Sequence, residues 1–279
     1  MTLSVSITTF NGAPLVHDCV ASVAWADEII VVDSGSTDNS REICAALGAK
    51  VTQTPDFPGF GQQKNRALDR TTGDWVLALD HDETVTPELR AEIEATIKNP
   101  GDAVAFTMPR LSNFCGRDMR HCGWWPDPVT RLFRKGAARF SEDHLHDRIL
   151  VTGKIGKLRN PLRHMPMPTL EHVINKMNGY SSSGAKFNFE HGKSASLGKA
   201  IFHGWWAFMR TYVFQAGFLD GREGFMLSIS NAEGTYYRYL KLMLLGRTIP
   251  SPLAPLPRGE RSIEHSPSDE EESATRGPR

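Results

Sequence analysis

Through the first hundred residues, short apolar runs alternate with amphipathic stretches. Leu3–Thr8, Glu28–Asp33 (EIIVVD), Ala49–Gln53 and Asp74–Leu79 (DWVLAL) are continuous apolar or alternating runs of strand length. Between them, Ala13–Ala24, a segment from the Ser36-Thr37-Asp38 cap to about Leu47, and Gln62–Thr71 carry helical spacing. Thr86-Pro87-Glu88 opens another helix with proline at its first position, and Ala103–Met108 is a fifth strand. Alternation at this spacing predicts a doubly wound, mostly parallel α/β sheet. In such sheets ligands bind beyond the carboxyl ends of the strands, which points to Thr9-Phe10-Asn11, Asp33-Ser34-Gly35 and Asp80-His81-Asp82.

Past Met108 the pattern becomes irregular and rich in Arg, Trp and Pro. From Thr169 it turns helical again, in a segment to about Phe187, in Leu197–Phe218 and in Asn231–Leu245. The chain divides into an α/β core over 1–150, a basic and aromatic helical subdomain over 151–246, and a Pro-, Ser- and charge-rich tail over 247–279 that reads as disordered.

Lys+Arg and Asp+Glu number 32 each among 279 residues, with 40% apolar content. That balance excludes a disordered acidic chain, a basic nucleic-acid coat and a polytopic membrane protein. The zero net charge is a cancellation: residues 1–100 sum to −8 and residues 148–222 to +8. No recognition motif accompanies the basic part, so nucleic acid is not the expected partner. Ala200–Leu219 is the most apolar stretch, but His203, Arg210 and Gln215 interrupt it, and a spanning helix wants about 20 residues with few or no charges. The opening residues carry no signal-peptide pattern. Cys19, Cys44, Cys115 and Cys122 fit neither a redox pair nor a zinc spacing and read as reduced thiols. A cytoplasmic protein is expected.

Candidate chemistry concentrates in LALDHDE (Leu77–Glu83), where Asp80 and Asp82 stand two apart at the end of a buried strand. Hard divalent cations take oxygen ligands, and Mg²⁺ is commonly held by one or two carboxylates plus substrate phosphates. The blander reading is loop acids, with Glu83 a helix-terminus charge. Asp33, before a glycine, is placed to accept from a base or a ribose hydroxyl, or else to close its own turn. PGFGQQKNRALDR leads a glycine-rich loop into a helix whose Lys64 can steer toward a phosphate. No P-loop spacing occurs, and no GxGxxG follows the first strand.

Taken in order, SVSITTFNG, EIIVVDSGSTDNS, GFGQQKNRAL and GDWVLALDHDE resemble the donor half of family 2 glycosyltransferases with the GT-A fold. GWWPDPVTRLFRK (Gly123–Lys135) narrows the resemblance to bacterial lipopolysaccharide-core β-1,4-glucosyltransferases. The resemblance implies a UDP-sugar donor, a divalent metal (Mg²⁺ or Mn²⁺) and inversion at the anomeric carbon. It puts Asp33 at the nucleoside, with Thr9 and Asn11 beside it, Asp80 at the ribose or metal, and Asp82 at the metal between diphosphate oxygens. It also places the general base about 60 residues past D-x-D, where Asp147 is the first choice; Asp127 in the Trp-Trp-Pro-Asp turn is the second.

Trp124 and Trp125 are read either as flat faces for a sugar ring or as core. Arg131 and Arg134 are read together on one face of their strand, near the diphosphate or acceptor, or simply solvated. The basic, aromatic back half suits an anionic glycolipid acceptor, peripheral contact with the inner-membrane surface, or plain packing on the core. Rival functions are a transferase with a soluble or protein acceptor, a nucleotidyltransferase, and a non-enzymatic sugar- or lipid-binding module.

Overall fold

A computed structural model describes residues 1–141 and 148–247. The predicted alternation is present: β1 (Leu3–Thr9), α1 (Ala13–Ser22), β2 (Glu28–Asp33), α2 (Ser40–Ala46), β3 (Lys50–Gln53), α3 (Phe60–Asp69) and β4 (Trp75–Asp80). A three-residue strand, β5 (Glu83–Val85), precedes α4 (Pro87–Lys98), whose N-cap Thr86 accepts from the Leu89 N–H as the Thr-Pro-Glu pattern demands. Then come β6 (Ala103–Phe114), β7 (Arg117–Asp118), β8 (Asp127–Arg134), β9 (Ala138–Phe140), β10 (Ile149–Val151), β11 (Lys154–Lys157) and β12 (Leu162–Met167).

The main sheet runs β3-β2-β1-β4-β8-β6-β12-β5. β1 pairs parallel with both β2 and β4, so the crossovers diverge between β1 and β4. β8 enters antiparallel between β4 and β6, and β12 lies parallel to β6. The central parallel strands β1, β2 and β4 are buried on both faces, which is why they read as apolar runs: Val5, Ile7, Val31, Leu77 and Leu79 share one core with Val16 and Val20 of α1 and Leu89 and Ile93 of α4. Residues just after 150 first add β11 and β12 to this sheet, and helices begin only at Leu170.

The helical part holds α5 (Leu170–Glu190), α6 (Leu197–Met209) and α7 (Gly221–Leu245). The helix expected over Leu197–Phe218 stops at Met209, passes into a π-helical turn over Arg210–Phe214, and breaks at Ala216, whose φ is +53°. α7 begins ten residues before the expected Asn231. Gly221, Gly224 and Ser228 hid its first turns, being poor helix formers. They serve packing instead: a Cβ on Gly224 would sit 1.9 Å from the Gly217 carbonyl oxygen.

α6 packs through its small residues. Ala200, Gly204 and Ala207 are buried, and a Cβ on Gly204 would lie 3.1 Å from Cβ of Tyr236 on α7. The helices join the core through Phe114, Met119, Cys122, Val173 and Leu227. All four cysteines are free thiols, and burial pushes those of Cys44 and Cys122 up to about 11. Among the described residues no helix is long and apolar enough to cross a membrane.

Candidate active site

β1, β2 and β4 end at Thr9, Asp33 and Asp80, and the loops after them converge. Asp33 is fully buried. Its Oδ2 accepts from the Gly35 and Ser36 N–H groups, each at 2.9 Å, and its Oδ1 from the Ser36 hydroxyl. Gly35 adopts φ +92°, which lets the turn close on the carboxylate. Asn11 (φ +49°) is locked to the same loop: its N–H donates to Ser36 Oγ at 2.8 Å and its Oδ1 accepts from the Thr37 N–H at 2.8 Å. Asp33 and Asn11 thus build one rigid double loop. Thr9 lies beneath it, buried, and its hydroxyl has no hydrogen-bond partner among the described residues. Gly12 keeps the floor low, since a Cβ there would meet the His81 ring at 2.6 Å and Thr9 Oγ1 at 2.7 Å.

Asp80 presents both carboxylate oxygens to cations. Lys64 Nζ lies 2.9 Å from Oδ1, and Arg131 Nη2 donates to Oδ2 at 2.6 Å. Burial alone would raise its pKa, yet the charges of Arg131 and Lys64 outweigh burial and hold the carboxyl far below the usual range. The same Arg131 Nη2 reaches Glu83 Oε1 at 2.7 Å, and Glu83 is completely buried. Glu83 Oε2 accepts the Asp80 N–H at 3.1 Å, and its Oε1 also accepts from Arg110 at 3.3 Å. Arg110 in turn gives two N–H groups to Asp127 Oδ2, at 2.9 and 2.6 Å. Alternating charges therefore run Lys64, Asp80, Arg131, Glu83, Arg110, Asp127, from α3 to the start of β8.

Asp82 stands beside this chain. Its Oδ2 is 3.5 Å from His164 Nε2, and the other ring nitrogen of His164 lies 2.8 Å from Ser112 Oγ. Burial raises the Asp82 pKa, but His164 more than offsets it and the carboxyl stays ionised below its ordinary value. Among the described residues no group of three or more His, Cys, Asp or Glu side chains is arranged to hold a metal. Asp80 is already neutralised by two cations. Asp82, with one long contact to an imidazole, fits a single carboxylate ligand to a cation whose shell is completed by substrate phosphates and water.

The sequence residues thus sort as follows. Thr9, Asn11, Asp33, Lys64, Asp80 and Asp82 are brought to one edge, and Asp127 joins them through Arg110 and Glu83. Asp147 falls in 142–147, outside the described residues. Glu83, read from sequence as a surface or helix-end charge, is the buried hub of the network. Arg131 and Arg134 do not share a face: three residues apart on β8, they point oppositely, Arg131 inward to Asp80 and exposed Arg134 against the Trp75 ring. Trp124 packs edge-on against buried Phe114, whereas Arg120 covers Trp125.

The turn carrying Trp124 and Asp127 is fastened from below by the helices. Asp220 is 2% exposed and accepts the Arg120 and His121 N–H groups at 3.1 and 2.7 Å, with His121 Nδ1 at 3.0 Å. The Cys122 N–H donates to the Gln215 carbonyl at 3.0 Å. Gly123 (φ +75°) leaves room for the Gln215 amide, which a Cβ would meet at 2.7 Å.

Comparison with known proteins gives a coherent result. A family model described as Glycosyl transferase family 2 matches residues 4–159. An uncharacterized glycosyltransferase of Rickettsia prowazekii is 32% identical over 253 residues, covering 86% of each chain. A Rhizobium meliloti protein named lipopolysaccharide core biosynthesis glycosyltransferase LpsC is 27% identical over 252 residues, covering 86% of this chain and 91% of its own. Among solved structures, glucosyl-3-phosphoglycerate synthase from Mycobacterium tuberculosis, in complex with Mn²⁺, UDP and glucosyl-3-phosphoglycerate, aligns with a TM-score of 0.36 and 26% identity. That alignment covers 40% of this chain and 44% of the synthase.

Proposed function

The chain belongs to glycosyl transferase family 2, and from that membership we propose that it moves a hexose, glucose by preference, from a UDP-sugar to a lipopolysaccharide-core or similar anionic glycolipid, inverting the anomeric carbon. It works on the cytoplasmic side, in peripheral contact with the inner membrane. The observation that carries the reading is the pairing of an Asp80 neutralised by two cations with an ionised Asp82 that has one long contact to an imidazole, at the sheet's switch point. The name of the Rhizobium meliloti relative supports the acceptor class.

The double loop of Asn11 and Asp33 walls the nucleoside, with the Thr9 hydroxyl the unspent donor beneath it. Asp80 sets the ribose or metal side, and Lys64 offsets diphosphate charge. Asp82 holds the divalent cation, Mg²⁺ or Mn²⁺, which when bound supplies Lewis-acid stabilisation of the leaving diphosphate. The base that takes the acceptor hydroxyl's proton is Asp147 in the first reading. Asp127 is the second, and a specific observation favours it: Arg110 occupies only its Oδ2, so Oδ1 can accept a proton while Arg110 fixes the carboxylate plane.

A panel of nucleotide sugars with purified protein, with and without EDTA, scored by release of nucleoside diphosphate, tests the reading. Metal-dependent release with a UDP-hexose is expected, falling at least 100-fold in Asp82→Asn. Absence of release with every donor overturns it. Asp147→Asn and Asp127→Asn, assayed for transfer and for donor affinity separately, decide the base. A soluble acceptor turned over as fast as a glycolipid would replace the acceptor class.

A further inference from the structure

α6 is packed inside out. Its small residues Ala200, Gly204 and Ala207 face the protein, while Leu197, Ile201, Phe202, Trp205 and Trp206 face away. The turn that follows adds Val213, Phe214, Phe218 and Leu219, and these nine side chains are 44–67% exposed. The rings touch in sequence: Phe202 to Trp205 at 6.2 Å between centroids, Trp205 to Trp206 at 6.4 Å, Trp206 to Phe214 at 5.7 Å. The result is a continuous aromatic surface, far from the scattered single exposures normal in a soluble protein. Residues 191–219 contain no Asp or Glu, and Lys193, Lys199 and Arg210 are all exposed.

We propose that residues 191–219 form a lipid-inserting surface that seats the protein on an anionic bilayer, with the α6 aromatics in the interface and Lys193, Lys199 and Arg210 on the headgroups. This rests on the reading of a glycolipid acceptor and adds which surface engages and how. Small residues toward protein with large apolar ones outward is the arrangement of helices packed in lipid. Lys199 and Arg210 lie on the same outward stripe as Phe202 and Trp206, so cations stand beside the rings, as in helices whose aromatics enter the interface while long basic side chains reach the headgroups. α6 has 13 residues, too few to span, since a bilayer core needs about 20. A second copy of the chain is the poorer occupant. A two-fold interface sets a patch against itself, and here that brings cations together with no acid within the segment to answer them.

Vesicle co-sedimentation and tryptophan emission test this, using phosphatidylglycerol/phosphatidylethanolamine vesicles, phosphatidylcholine vesicles and UDP-sugar binding in parallel. The full chain is expected to pellet with anionic vesicles and blue-shift. The Trp205→Ser/Phe214→Ser variant should partition at least tenfold more weakly, and Lys199→Glu/Arg210→Glu should lose the preference for anionic lipid. All should keep wild-type UDP-sugar affinity. A chain that binds UDP-sugar but stays in the supernatant overturns this surface and leaves the transferase reading standing. Vesicle binding without any nucleotide-sugar binding does the reverse. A wild-type dimer that Trp205→Ser/Phe214→Ser dissociates, without lipid binding, assigns the face to a second copy and overturns the proposal.

Discussion

Glu83 shows how much can turn on one side chain. It has no exposed surface and holds Arg131, Arg110 and the Asp80 N–H together. Removing one partner of a buried ion pair strands the other's charge, at about 3–5 kcal/mol. Glu83→Ala is therefore expected to lose stability on that scale in urea unfolding and to weaken donor binding, because Arg131 then has only Asp80. Sequence reasoning undervalued Glu83 because an acid before a helix is usually solvated. Only the pairing of β5 with β12, which buries it, shows otherwise. Asp80 and Asp82 were legible from their place at a strand end, and Lys64 from the glycine-rich loop that opens α3; their pairing was not.

Glu28 gives a pH dependence with a definite sign. Burial would raise its pKa, but hydrogen bonds from Ser4, Lys50 and Thr72 overcome burial and lower it from 4.5 to about 2. A depressed carboxylate pKa adds stability above the unfolded value and loses it as pH falls through the folded one. The loss runs from about pH 4.5 to pH 2, and because Lys50 is largely exposed, solvent screening keeps it well below the full value of the shift. Glu28→Gln should be less stable at neutral pH and show a flatter acid limb in denaturation followed by circular dichroism.

At the scale of elements, β1, β2 and β4 were readable because burial on both faces leaves an apolar run, and α4 because Thr86 and Pro87 mark its start. The strands of the second half were harder. β12 (LRHMPM) has no periodicity of its own and exists because β6 and β5 flank it. α6 lay wholly within the expected Leu197–Phe218, but the first turns of α7 were hidden, since its contacts with α6 and the turn before it run through glycine and alanine, which carry no hydrophobic signal. That contact makes a prediction. Gly224→Ala forces a Cβ onto the Gly217 carbonyl and is expected to cost about 3 kcal/mol, read as a lowered thermal midpoint. Gly204→Val should similarly loosen α6 from α7, whereas Gly198→Ala, with open space around it, should be neutral or slightly stabilising.

Across the whole molecule, the charge cancellation resolves into two functional ends. Acids gather at the sheet edge with their own cations threaded among them, and the positive excess is shared between residues 148–169, which include β10 to β12, and the helices that follow. Attraction between exposed cations and anionic lipid is screened within about 10 Å at 0.1 M salt, while burial of aromatic rings is not. Raising salt from about 0.05 to 0.5 M should weaken adsorption to anionic vesicles several-fold without abolishing it, as measured by sedimentation. Complete release by salt would mean that the aromatic surface stays dry of lipid.

The fastening of residues 120–123 by Asp220 and Gln215 acquires a meaning beyond stability. These bonds tie the exposed turn after α6 to the segment that leads into Asp127, so under the lipid-surface proposal the site keeps a fixed height relative to α6. The protein is then a ruler: seated on a surface, it holds its reaction at one height above it. With the proposed glycolipid acceptor, selection would then depend partly on how far the free hydroxyl stands from the lipid anchor. Lengthening or shortening the glycan between anchor and hydroxyl by one sugar should depress transfer on vesicles while leaving transfer to the detergent-free, delipidated glycan nearly unchanged.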